Sequence, residues 1–395
     1  MKKKVGILTM HKVLNFGSAL QAYALLKKVE SMGFFAELIN YSYPNAEHCK
    51  RMGIRFFPEK SIVRLFLFYL FGCFLLKLPW KLKEKKAQQA IRRFHQQWKF
   101  RKFYKNYFKL SSPYRTIQSL SIAPPQYDIY ITGSDQVWNP KFMVGDSNFL
   151  LSFVAKNKIK CSYASSFSCR EIPQCDEEIF KKHLGLYNAL SVRESSSAQI
   201  VFHLIGKKPE VVCDPTLLLN REEWLAVCPA KKLVRCKYLL VYILHYAYDP
   251  YPGILDFVKG LSKKKHLRLV VLNGLKDGYS LDGALHFDDV GPIEFLQLFR
   301  DAEVIVTTSF HGTAFALNFK KKFYSVVENA NGKDNRISDL LFKCGAEHHL
   351  IEGENINQWG AAEVSDKETE LLEKFRTDSK LYLQKCLGKT NLDNG

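Results

Sequence analysis

The stretch VIVTTSFHGTAFAL, Val304 to Leu317, decides the fold. Val304 to Thr308 is β-branched and uncharged, the composition of a strand buried on both faces. From Gly312 onward, small apolar residues carry a buried helix. Strand, turn and helix in that order are half of a βαβ unit, so a parallel sheet is expected. His311 stands where the strand hands over to the helix. In open parallel sheets, ligands lie beyond the carboxyl ends of the strands. A helix starting there offers unpaired N–H groups and a dipole that favours anions. Gly312 lets the backbone approach a ligand, and His311 adds a donor that is charged near neutral pH. The plain alternative is a core histidine beside an N-capping Ser309.

The same grammar runs outward from this stretch. Lys4 to Met10 reads as a strand, Asn15-Phe16-Gly17 as a turn, Ser18 to Met32 as a helix closed by Gly33, and Phe35 to Tyr41 as a second strand. Asn15 and Gly17 are placed to offer N–H groups to an anion or a sugar hydroxyl. The spacing lacks G-x-G-x-x-G, so a dinucleotide site is not supported. Further strands are expected at Asp128–Thr132, Lys160–Ser166, Ala189–Val192 and Glu210–Cys213. After a boundary near Asn220 to Lys237 the pattern restarts. Strands at Tyr238–Leu244 and Leu267–Leu272 flank a helix at Tyr251–Ser262, and a helix from Pro292 leads into the Val304 strand. Thr369 to Leu387 reads as a terminal helix. The expectation is an α/β chain of two Rossmann-like domains, residues 1–225 and 226–395, with mostly parallel sheets.

The net charge of +19 is concentrated. Lys50 to Arg115 holds 18 Lys and Arg against Glu59 and Glu84 only. This region, about 50–110, reads as a helical insertion. Its apolar part, Ile62 to Leu76, is too short for a membrane span, which needs about 20 residues. Aromatics alternate with basic residues downstream. A buried helical hairpin with a solvated basic face and a patch that rests on anionic lipid both fit. Nucleic acid is disfavoured, because no nucleic-acid fold signature accompanies the charge. The 10 cysteines include no C-x-x-C pair, and MKKKVGILTM is too short and strand-like for a signal peptide. A cytoplasmic location, peripheral at the inner membrane face, is expected.

Three further clusters could carry chemistry. Gly133 to Pro140 packs Ser134, Asp135, Gln136 and Trp138 after a strand end. Amides and a hydroxyl suit sugar hydroxyls, Trp138 a sugar face, and Asp135 general-base work. Arg193, also after a strand, can clamp a carboxylate or phosphate, with Glu194 as the alternative, a mere ion-pair partner. Arg336 is a candidate of the same kind. Cys213-Asp214-Pro215-Thr216 reads as a structural turn. No zinc-ligand spacing, P-loop or G-x-S-x-G occurs, so no metal is expected.

Together NFGSALQAYALL, ITGSDQVWNP, KCSYASSF, SVRESS, VCDPTLLL and TSFHGTAFALNF, in that order, resemble the polysaccharide pyruvyl transferase family. The resemblance implies two Rossmann-like domains facing a cleft, as in GT-B glycosyltransferases. It implies transfer of pyruvate from phosphoenolpyruvate to sugar hydroxyls of a surface glycan as a ketal, chemistry that needs no cofactor; a lipid-linked acceptor would account for the basic, apolar-flanked region. It gives phosphoenolpyruvate binding to His311 and Arg193. Some relatives have Arg-Leu where this chain has Ser309-Phe310, which draws attention to Lys321, Lys322 and Arg336 as substitute cations. The rival readings are a GT-B nucleotide-sugar glycosyltransferase and a non-enzymatic, membrane-associated glycan-binding protein. Against the first, no two Glu with seven residues between them occur from Val241 onward.

Overall fold

The computed structural model describes residues 2–54, 80–245, 248–330, 332, 334–353 and 363–388. Strands β1 (Lys4–Leu8), β2 (Phe35–Leu38), β3 (Ile129–Thr132) and β4 (Ile159–Ser162) form a parallel sheet in the order β2-β1-β3-β4. Strands β5 (Ser191–Val192) and β6 (Glu210–Val211) extend it through bridges from Cys161 to Ala189 and from Ser165 to Val192. At the other edge, Leu110 and Tyr114 bridge to Leu38 and Tyr41. The strand order therefore reverses between β1 and β3.

The second sheet contains β7 (Tyr238–Tyr242), β8 (Arg268–Leu272), β9 (Leu285–Phe287), β10 (Val304–Thr307), β11 (Lys322–Val327) and β12 (Leu350–Glu352). Its order is β12-β11-β10-β7-β8-β9, with every pair parallel. This is the arrangement of dinucleotide-binding sheets, and its reversal lies between β7 and β10. The central strands β7 and β10 are uncharged, nearly continuous buried runs, and the charged residues of this sheet, Arg268, Lys322 and Glu352, stand at strand ends.

Local chemistry fixes the two helices that matter most. Asn15 accepts the Ser18 N–H at 3.1 Å and starts the helix Phe16–Ser31. Ser309 accepts the Gly312 N–H at 3.2 Å and starts the helix Phe310–Asn318. The two units share one core. Phe16 stacks on Phe295 of the second unit at 4.9 Å and meets Phe100 at 5.4 Å. Tyr23 packs on Trp224, which in turn packs on Phe315.

The helix Trp80–Tyr107 belongs to the basic insertion. Phe100 and Phe103 are buried, and the Tyr104 hydroxyl donates to Val13 O at 3.0 Å. Its cations do not all face solvent. Arg92 donates to Asp288 at 2.8 Å, and Lys99 lies 3.5 Å from Glu294, so the helix ties the first unit to the second. Residues 62–76 lie outside the described residues. Among the described residues no helix is long and apolar enough to cross a membrane.

The terminal helix Asp366–Cys386, expected to belong to the second unit, packs on both. Its Tyr382 hydroxyl donates to Ser162 O at 2.9 Å, and its Ser379 Oγ accepts the Cys213 N–H at 2.8 Å. Its Glu368 meets His349 Nε2 at 2.9 Å.

Candidate functional site

The carboxyl ends of β1, β3, β5, β6 and β10 meet around one buried carboxylate, Asp214. Its Oδ1 accepts the Thr216 N–H at 2.9 Å and the Thr216 hydroxyl at 2.8 Å. Its Oδ2 accepts Ser134 Oγ at 2.9 Å and Arg193 Nη1 at 3.0 Å. His311, from the second sheet, places Nε2 3.6 Å from the same Oδ2. That is too long for a hydrogen bond and short enough for strong electrostatic coupling. Burial alone would raise the Asp214 pKa. The charges of His311 and then Arg193, with the Thr216 N–H, hold it well below the usual carboxylate range.

Arg193 is surrounded but incompletely bonded. Its guanidinium lies 4.4 Å from the centroid of the Phe310 ring. Nη2 is 3.8 Å from Asp135 Oδ1, and Nε is 3.6 Å from Glu194 Oε2. Arg193 Nε and Nη2, His311 Nε2 and Glu194 Oε2 are buried with no hydrogen-bond partner. Buried polar groups are normally satisfied, so this cluster of unpaired ones makes the junction the candidate site. Glu194 is itself positioned, since its Oε1 accepts the hydroxyls of Ser166, at 2.8 Å, and of Ser197.

Asp135 has a left-handed backbone, φ 76°, which aspartate tolerates better than most residues. It accepts the Ser18 hydroxyl and the Gln136 N–H, the latter at 3.0 Å. Gly17 is pressed against His311: a Cβ there would lie 1.9 Å from Nδ1. The turn after β1 and the helix after β10 thus fit together only because residue 17 has no side chain.

The structure brings His311, Arg193, Asp135 and Gly17 together. Arg336 lies close by, bonded to Asp334 through Nε at 2.7 Å, and Arg193 helps to depress the Asp334 carboxyl. One expectation needs correction. Trp138 is wholly buried among Phe167 and Tyr187, with Nε1 donating to Phe149 O at 3.1 Å, so no sugar can stack on it. Ser134 faces Asp214, Gln136 accepts from Asn139 at 2.9 Å, and Asn15 and Ser309 act as helix caps. A Cβ on Gly312 would lie 2.4 Å from Thr307 Oγ1, so packing by itself already requires glycine there. Lys322 opens β11 at its amino end, opposite the site, and pairs with Glu363; Lys321 stands just before it.

Asp214 was the residue hidden in sequence. Its Asp-Pro-Thr context is ordinary turn chemistry, and only its place after a strand matched the other candidates. Ser18 and Phe310 were likewise invisible as site residues, since one reads as a helix start and the other as core.

Two Rossmann-like units whose strand ends meet at a polar junction define an α/β, GT-B-like architecture. Among solved structures, S. aureus MnaA bound to UDP shares this fold, with TM-score 0.50, 11% identity, and 99% of this chain and 98% of that one covered. UDP-GlcNAc 2-epimerase from Neisseria meningitidis aligns with TM-score 0.47 and 8% identity, over 99% and 100% of the two chains. E. coli heptosyltransferase WaaC with ADP gives TM-score 0.40 and 12% identity, over 95% and 99%. No curated protein matches the chain significantly. Residues 15–330 match the family described as polysaccharide pyruvyl transferase, and the chain belongs to that family of transferases.

Proposed function

We propose that this transferase moves pyruvate from phosphoenolpyruvate onto two hydroxyls of a sugar in a cell-surface polysaccharide precursor, forming a ketal. The observation that carries this reading is the pair of buried basic side chains, Arg193 and His311, whose ring and guanidinium nitrogens face one junction without hydrogen-bond partners. A small, highly charged anion suits them. Arg193 offers Nε and Nη2 to a carboxylate or phosphate. His311 protonates the methylene carbon, which makes the adjacent enol carbon electrophilic. A sugar hydroxyl adds there and gives its proton to Asp135, phosphate departs carrying that proton, and a second hydroxyl closes the ketal as its own proton returns to His311. Positioned acid–base groups of this kind contribute about 10²–10⁴-fold. This chemistry asks for no metal or organic cofactor.

The acceptor is read as a lipid-linked glycan met at the inner membrane face. The helix Trp80–Tyr107 supports this, because Ile91, Trp98, Arg101, Lys102 and Lys105 are exposed along one side of it, as an anionic bilayer would require. Flotation with vesicles containing anionic lipid, at low and high salt, tests the contact.

Incubating the purified protein with phosphoenolpyruvate and a panel of glycans tests the reaction. Acceptor-dependent phosphate release with a ketal-bearing product is expected. Turnover of nucleotide sugars with no response to phosphoenolpyruvate would replace this reading with the glycosyltransferase one.

A further inference from the structure

We infer that the carboxyl edge of the second sheet holds a second binding site, a platform for one pyranose ring of the acceptor. The inference rests on the transferase reading above and adds where the glycan is held. Its centre is a pair of tyrosines from different loops. Tyr251 follows β7, Tyr279 follows β8, and their rings stack at 4.6 Å with an interplanar angle of 23°. Tyrosines that merely fill a core are covered. Tyr279 keeps 37% of its surface exposed although Tyr251 lies against its ring.

The surroundings supply polar groups at the rim. The Lys276 N–H donates to the Tyr251 hydroxyl at 3.2 Å and steadies that ring. Lys276 Nζ pairs with Asp249, and both side chains remain reachable by solvent. The exposed ring of His245 stands 6.4 Å from Tyr251, edge to face. The Tyr248 hydroxyl is buried without a hydrogen-bond partner. A rigid aromatic face ringed by a cation, a carboxylate and an imidazole matches a pyranose, which has an apolar C–H face and hydroxyls around its edge.

The platform is connected to the proposed reaction site through the backbone. The Leu244 N–H donates to Thr308 Oγ1 at 2.7 Å, and that hydroxyl donates to Leu244 O at 2.8 Å. Thr308 lies just ahead of Ser309 and His311. The loop carrying the tyrosine is therefore fastened to the turn carrying the imidazole, at the point where the strand order reverses. Gln96 of the basic helix donates to Asn273 Oδ1 at 3.3 Å, which puts the loop after β8 beside that helix.

The test uses the full chain and its Tyr279→Ala and Tyr279→Phe variants, with thermal melts confirming folding. Binding is measured on immobilised glucose-, galactose- and N-acetylhexosamine-terminated oligosaccharides, and kinetics with any acceptor that the wild type turns over. Tyr279→Ala is expected to weaken glycan binding and raise the acceptor KM about tenfold. The KM for phosphoenolpyruvate should stay unchanged, and Tyr279→Phe should restore glycan binding. Unchanged glycan binding and acceptor KM in Tyr279→Ala overturn the platform while leaving the reaction intact. Glycan binding that depends on Tyr279, in a protein that does not consume phosphoenolpyruvate, overturns the reaction while leaving the platform intact. A wild-type chain that binds none of these sugars overturns the platform.

Discussion

His311 and Asp214 come from different sheets, yet Nε2 of one lies 3.6 Å from Oδ2 of the other, with Arg193 on the same oxygen at 3.0 Å. Asp214 thus holds Arg193 directly and faces the His311 ring. Asp214→Asn keeps the shape and removes the charge. It should cut kcat/KM for phosphoenolpyruvate by about 10²-fold or more and destabilise the fold by about 3 kcal/mol, as loss of one partner of a buried ion pair does. Steady-state kinetics and chemical denaturation check the two effects separately.

Arg193→Lys retains a positive charge and loses the planar fork. A point charge cannot serve Asp214 and a ligand in the same way. The KM for phosphoenolpyruvate should rise at least tenfold, with the acceptor KM unaffected. Equal changes in both would assign Arg193 a purely structural role.

Gly17→Ala puts a methyl group where the His311 ring lies. The ring must shift, at a cost of about 1–3 kcal/mol from overpacking. Activity should fall further than stability if the displaced group is the proton donor proposed above. A variant with wild-type kcat would show that His311 does not act from its observed position.

Stability should depend on pH through His11. This histidine is buried, with Nδ1 against Thr9 O, and burial lowers its pKa from 6.5 to about 4. The unfolded chain binds its proton first, so stability falls as pH drops from 6.5 towards 4. The full loss is on the order of 3 kcal/mol. Asp214 has the usual carboxylate sign: its pKa is depressed, so its contribution is present above the unfolded value and disappears only in stronger acid. His11→Asn, which keeps a donor towards Thr9, should flatten the melting-temperature profile between pH 6.5 and 4.

Trp138→Phe is expected to lower stability by about 1–3 kcal/mol, since the indole N–H and its contacts lie in the core. The acceptor KM should not move. A large rise in acceptor KM with unchanged stability would return Trp138 to the sugar-binding role first read from its sequence.

Strands, helices and the parallel order were legible because βαβ units write themselves locally, as in Val304 to Leu317. Arg193, His311 and Asp135 could be picked out as candidates for a related reason: polar residues that directly follow buried strands stand out. Trp138 misled because an indole among amides looks the same in a sugar site and in a core, and only long-range packing by Phe167 and Tyr187 separates them. Asp214 was missed because capping Thr216 is the ordinary task of an Asp before a Pro. Its second task depends on His311, about a hundred residues away. The partners of the basic helix, Asp288 and Glu294, were invisible for the same reason.

The helix Asp366–Cys386 donates to and accepts from the backbone beside β4 and β6, which are translated much earlier. The amino-terminal half therefore leaves the ribosome before the helix Asp366–Cys386 that completes its hydrogen bonding beside β4 and β6. Assembly of this chain should behave as one closing event and not as two independent halves, with the carboxyl-terminal segment acting as the bolt.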